Sequence, residues 1–138
     1  MIEDKNDMRN NIRKTVTLLI LLLMVVIPGR AQNSIDRMVE DYSTVGTSSF
    51  TSVVERDPKT RQVKKVVKVL TLPGHQTSQF HDAFLKEKAT GTFTEQQQSG
   101  MQTLTLTCEK PAQTRLYMLR RNNAFGKVTI IVKRKNKE

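Results

Sequence analysis

Two histidines, one cysteine and 23 basic residues are the side chains of this 138-residue chain best able to do chemistry. His75 and His81 stand six apart, whereas a zinc-binding helix sets its pair four apart on one face. Asp82 and Glu87 lie close by in sequence. A small hydrolase built here would need His75, His81 and an acid to converge in a concave pocket. The alternative reading makes them exposed polar residues beside a turn. Cys108 and a distant histidine could form a nucleophile–base pair. Yet Cys108 continues the alternation of Leu104 and Leu106, and reads as a small packed hydrophobe. The late carboxylates, Glu95 and Glu109, show no pairing of the kind glycoside chemistry requires, two acids about 5–9 Å apart. The sequence shows no glycine-rich phosphate loop, nucleophile elbow or acidic calcium loop. The expectation is a non-enzymatic protein with no catalytic residue, cofactor or metal.

The basic residues are more suggestive. Lys59, Arg61, Lys64, Lys65 and Lys68 crowd one stretch. Arg115, Arg120, Arg121, Lys127, Lys133, Arg134, Lys135 and Lys137 crowd another. If the two stretches pair, one sheet rim is strongly positive. Lys64, Lys65, Lys68, Lys133, Arg134 and Lys135 would then meet a polyanion or an anionic surface. Two plainer readings stand beside it: a soluble surface with a basic bias, and lysines that deter aggregation at a sheet edge. Tyr117 and Phe125 are the only aromatics near these charges, and the chain has no Trp. Base stacking is thus poorly supplied, and no nucleic acid is expected.

These residues must be carried by something, and the chain's opening says where. Thr15 to Ile27 is an apolar run behind Arg9, Arg13 and Lys14 and ahead of Pro28-Gly29-Arg30-Ala31. A cationic start, a greasy middle and small residues before a cut make a secretory signal peptide, here residues 1–31, with cleavage after Ala31. As a helix the run would span roughly 20 Å at ~1.5 Å per residue, short of a bilayer core of about 30 Å. A buried core helix and an uncleaved anchor are the alternatives. The one cysteine, Cys108, lies far beyond the run, so none is placed at its end to take a lipid. Glu3, Asp4 and Asp7 are unusual in such a start, and Met8 is an alternative initiator. The leader would remove five of the 23 basic and three of the 13 acidic residues. That leaves 18 and 10, a net charge of about +8. An oxidising compartment then requires Cys108 to be buried, reactive or joined to another chain.

Residues 32–138 suffice for one domain. Asn33 or Ser34 can cap a helix whose Ile35, Met38, Val39 and Tyr42 form one stripe, with Gly46 ending it. Ser49–Arg56 and Gln62–Leu72 read as a hairpin around Asp57-Pro58-Lys59-Thr60. The second strand changes parity, which implies two buried faces or a bulge. Pro73-Gly74 breaks it. Thr77 or Ser78 caps a second helix to about Ala89, with Phe80, Ala83 and Phe84 inward. Strands follow at Thr92–Gln97, Met101–Cys108, Thr114–Arg121 and Lys127–Arg134, with Asn122-Asn123 and Gly126 in the last loop. The order α-β-β-α-β-β-β-β predicts an α+β two-layer sandwich: two helices on a mainly antiparallel sheet of five to six strands.

Three segments carry a resemblance. They are Ala31-Gln32-Asn33-Ser34-Ile35-Asp36-Arg37-Met38, then Phe50 through Thr60, then Lys127-Val128-Thr129-Ile130-Ile131-Val132-Lys133. Together they resemble a small family of exported bacterial proteins catalogued only as a domain of unknown function. The resemblance implies export to the periplasm or beyond and brings no activity, cofactor or site residue. The expected role is binding or assembly at the cell envelope, with an envelope protein, a polyanion or a second copy as partner. Membrane contact is expected only through the leader.

Overall fold

The structure, a computed structural model, describes residues 33–135. The expected leader lies outside the described residues, as does Lys137. Two helices and six strands follow one another as α1 (Ser34–Tyr42), β1 (Ser49–Arg56), β2 (Val63–Pro73), α2 (Thr77–Lys86), β3 (Thr92–Gln98), β4 (Met101–Glu109), β5 (Gln113–Arg121) and β6 (Phe125–Arg134). The strands form one antiparallel sheet in the order β1-β2-β6-β5-β4-β3. This is the expected α+β sandwich with all six strands present.

Helix α1 begins where its first residues predict. Asn33 Oδ1 accepts from the amides of Ile35 and Asp36 at 2.9 and 3.0 Å, and Asp36 Oδ2 accepts from the Asn33 amide at 3.0 Å. This reciprocal pair satisfies donors that a helix start leaves open. Helix α2 differs from expectation at both ends. A 3₁₀ turn at Gly74–Gln76 leads straight into it, so Thr77 is its first residue rather than its cap. The Thr77 hydroxyl donates back to the Gly74 carbonyl at 2.7 Å. The helix stops at Lys86, three residues early, and a second 3₁₀ turn follows at Lys88–Thr90. Glu87 caps the helix, its amide donating to the Ala83 carbonyl at 3.1 Å, while its carboxylate accepts from the Ser34 amide and hydroxyl at 3.1 and 2.9 Å. One acid thus ends α2 and secures the positive end of α1.

Both helices lie on one face. Strand register puts Leu70 and Leu72, Val128 and Ile130, Tyr117 and Leu119, and Leu104, Leu106 and Cys108 on that face. They are buried with Ile35, Val39, Phe80, Ala83 and Phe84. Each large side chain removed from water contributes about 1.5–3 kcal/mol, which fixes the face the helices must cover. On the opposite face Val67, Val69, Leu116, Met118 and Ile131 are half-buried by their neighbours, and no described element covers them. The mixed parity of β2 has both sources: Val66, Leu70 and Leu72 face the helices while Val67 and Val69 take the other side, and at the strand's start the register shifts between Lys65, opposite Glu55, and Val63, opposite Arg56.

Gly126 is not in a loop. It lies within β6, opposite Leu72 and Arg121. A Cβ there would stand 2.0 Å from Thr77 Cγ2, so only glycine lets the start of α2 rest on the sheet.

Candidate functional site

Four regions merit comparison, and the first is the basic cluster. β2 and β6 are neighbours, so Lys64, Lys65, Lys133, Arg134 and Lys135 gather at one end of the sheet, while Lys68 sits at mid-strand. They do not share a face. Lys65 and Lys133 stand directly opposite each other on the uncovered side, with Glu55 across from Lys65. Lys68 lies on the helix side, opposite Ser52 and Ile130. Lys64 and Arg134 flank a shallow dent with Asp57 and Gln62, and Arg134 Nη1 donates to the Gln62 side chain. Lys135 is engaged by Glu109 at 3.6 Å. Edge protection does not explain the lysines of β2, because that strand is flanked on both sides.

The second region is the true edge, β1. All eight of its residues are exposed. Phe50, Val53 and Val54 keep 37%, 58% and 48% of their surface in water. Its outer row of backbone donors and acceptors has no strand beyond it.

The third is a buried polar knot. Asp36 Oδ2 accepts from the Tyr117 hydroxyl at 2.8 Å and from Arg115 Nη1 at 3.2 Å, in addition to the Asn33 amide. Burial pushes the Tyr117 phenol above its ordinary value, and the Arg115 hydrogen bond offsets only part of that. Tyr117 therefore stays a donor. Burial by itself would lower Arg115, but Tyr117 and Asp36 outweigh it and hold the guanidinium charged. Cys108, buried and directly opposite Arg115, has its Sγ 3.7 Å from the Thr90 hydroxyl. The knot ties α1 to β5. In sequence, Asp36 shows only as a charge at a helix start, and its partners lie some 80 residues away.

The fourth is a polar cleft of about 450 Å³ at the other end of the sheet, beneath the start of α2. Its floor is a row across three strands: Gln97, Gln102 and Arg121. Its walls are His75 and Thr77 together with Asn122 and Asn123. The walls are fixed. The Gly74 amide donates to the Ala124 carbonyl at 3.1 Å, and Asn122 Oδ1 accepts from the amides of Ala124 and Phe125 at 2.8 Å each. Arg121 is set by a relay: its Nε donates to Gln102 Oε1 at 2.7 Å, while Gln102 Nε2 donates to Glu95 Oε1 at 2.7 Å. The spacing of Gln97, Gln102 and Arg121 carries no sequence signal, since strand register alone aligns them.

The hydrolase constellation does not assemble. His75 lines the cleft; His81 does not, and sits 3.8 Å from Asp82 instead. No carboxylate lines the cleft. Among the described residues, no group of three or more histidines, cysteines or acids could hold a metal ion. No described helix is long and apolar enough to cross a membrane.

No curated protein and no solved structure matches the chain. A family profile does, over residues 32–132, most of the chain and nearly all of the sandwich. The chain belongs to the family described as Domain of unknown function (DUF5024).

Proposed function

We propose that this is an exported, non-enzymatic assembly domain that docks at the cell envelope through β1. The observation that carries the reading is that strand: a free edge, exposed along its whole length, with three large apolar side chains. Such an edge is a template for another strand unless it is blunted. A second copy fits it. Two antiparallel β1 strands crossing at Ser52 set Phe50 against Val54 of the other copy, twice, on the helix side. On the uncovered side they set Thr51 against Val53. In that register residues 49–55 of each copy pair, and seven residues give about 24 Å of pairing at ~3.4 Å per residue. The continuous sheet would have twelve strands. Export rests on the apolar run, and the start of the family match at Gln32, one residue past Ala31, supports it.

Expression of the full chain tests both parts. Intact mass of the recovered protein should show Gln32 at the N-terminus; retention of residues 1–31 sinks the export reading. Sedimentation of the same product should show a monomer–dimer equilibrium. A pure monomer up to about 1 mM means association weaker than ~4 kcal/mol and sinks the assembly reading.

One observation favours a second reading, a polyanion partner. Lys65 faces Lys133 across the ladder, a like-charge pair that is unfavourable to folding. A bound polyanion would relieve it. Heparin binding that falls steeply with salt supports this reading, and salt-insensitive binding removes it.

A further inference from the structure

We propose that the cleft beneath the start of α2 binds a small hydrophilic molecule through a carboxylate or phosphate held by Arg121. This inference is independent of the assembly reading. The volume, about 450 Å³, lies within the ~300–1,000 Å³ of small-molecule sites. Such sites are mostly apolar, and this one is not. Its lining is amide, hydroxyl, imidazole and guanidinium, with no Phe, Tyr or Trp and no carboxylate. That chemistry rejects a greasy ligand and a cation, and suits an anion carrying further hydrogen-bonding groups.

Arg121 is the feature that makes the cleft a built site. Glu95 orients Gln102, and Gln102 orients Arg121, through two hydrogen bonds of 2.7 Å. Only Nε is used. Among the described residues, Nη1 and Nη2 have no acceptor and no acid beside them. A planar guanidinium held in place presents a fork that matches a carboxylate or phosphate with two parallel bonds. The ordering cost of a long side chain is therefore met before the ligand arrives. Glu95 acts one amide away, so it steers the arginine without neutralising it. The other donors converge on the same space. Asn122 spends its Oδ1 on the turn, which leaves its NH₂ free to donate. Thr77 brings the first turn of a ten-residue helix to the rim, where the dipole favours an anion. The wall cannot easily collapse into the space, because Gly126 seats Thr77 on the sheet.

The test is calorimetry and amide-shift titration of the purified protein with three probes: D-glucuronate for a carboxylate, glucose 6-phosphate for a phosphate, and neutral glucose. Saturable binding of either charged probe, absent for glucose, is the expected result, and the stronger of the two names the source of the oxyanion. Arg121→Gln should weaken it at least roughly tenfold. Arg120→Gln, one residue along and on the opposite face, should leave it unchanged. Three outcomes overturn the proposal: no saturation with either charged probe, equal binding of glucose, or an equal loss in Arg120→Gln. Should Arg121→Gln fail to fold, the shift map of the unaltered protein decides. Movement at Gly74, Thr77 and Asn123 upholds the cleft; movement confined to Lys65 and Lys133 overturns it.

Discussion

The sheet ends in two edges, and they are made differently. β1 and β3 each have one neighbour, and each is almost wholly exposed. β1 reads Ser-Phe-Thr-Ser-Val-Val-Glu-Arg, with its charges only at the end. β3 reads Thr-Phe-Thr-Glu-Gln-Gln-Gln. Its one large apolar residue, Phe93, turns inward against the core, with the Lys88 ammonium 5.3 Å from the ring centre. Its acid, Glu95, is already engaged by Gln102. An incoming strand would find hydrogen-bonding amide side chains on β3 and exposed apolar side chains on β1. Exposure alone therefore does not mark a docking edge; what the exposed atoms are made of does.

That contrast can be broken in several ways. The largest effect takes a fully buried side chain of α2 out of the core: Phe84→Ala should lower stability by about 3–5 kcal/mol, read by chemical denaturation. It should not discriminate between the edges. Val53→Lys should raise the dimer dissociation constant at least tenfold, about 1.4 kcal/mol, while the monomer stays folded by circular dichroism. Gln96→Lys on β3 is the matched control and should change nothing in sedimentation. The converse change, Gln96→Val, should make the quiet edge adhesive and produce species larger than a dimer by light scattering. The smallest energetic effect is at the β3–β4 turn, where Ser99 and Gly100 both have positive φ (53° and 78°). Ser99→Asn creates the favoured Asn-Gly pair and should add roughly 0.5 kcal/mol.

The β1–β2 turn should respond to acid. Asp57 accepts from the amides of Lys59 and Thr60 at 2.8 and 3.2 Å, and these bonds hold its carboxyl below the usual carboxylate range. A depressed acid stabilises the fold above its unfolded value and loses that effect as pH falls through the folded one. The turn should thus loosen below about pH 4, seen as faster exchange of the Lys59 and Thr60 amides. Asp57→Asn should exchange without that pH step.

The elements were legible because their signals are local. The stripe of Ile35, Met38, Val39 and Tyr42 and the alternation of Leu104, Leu106 and Cys108 read directly as faces. The order of strands did not, because β2 pairs with β6 across about 60 residues and no short pattern announces it. That one pairing also turned the lysines of β2 from edge guards into interior ones. The end of α2 was misjudged because the Glu87 side chain is engaged by Ser34, a partner 53 residues away. Arg121 looked like one more surface charge among eight, since the residues that give it meaning arrive from two other strands.

The pairing of β2 with β6 also bears on how the chain reaches its final form. A polypeptide emerging N-terminus first completes its opening hairpin early, but the inner flank of β2 stays unmatched until the last strand appears. Closing so distant a contact is slow, and in the interval the hairpin is adhesive along both long sides. Truncation before Phe125 should therefore yield aggregate rather than a smaller soluble domain, read by light scattering.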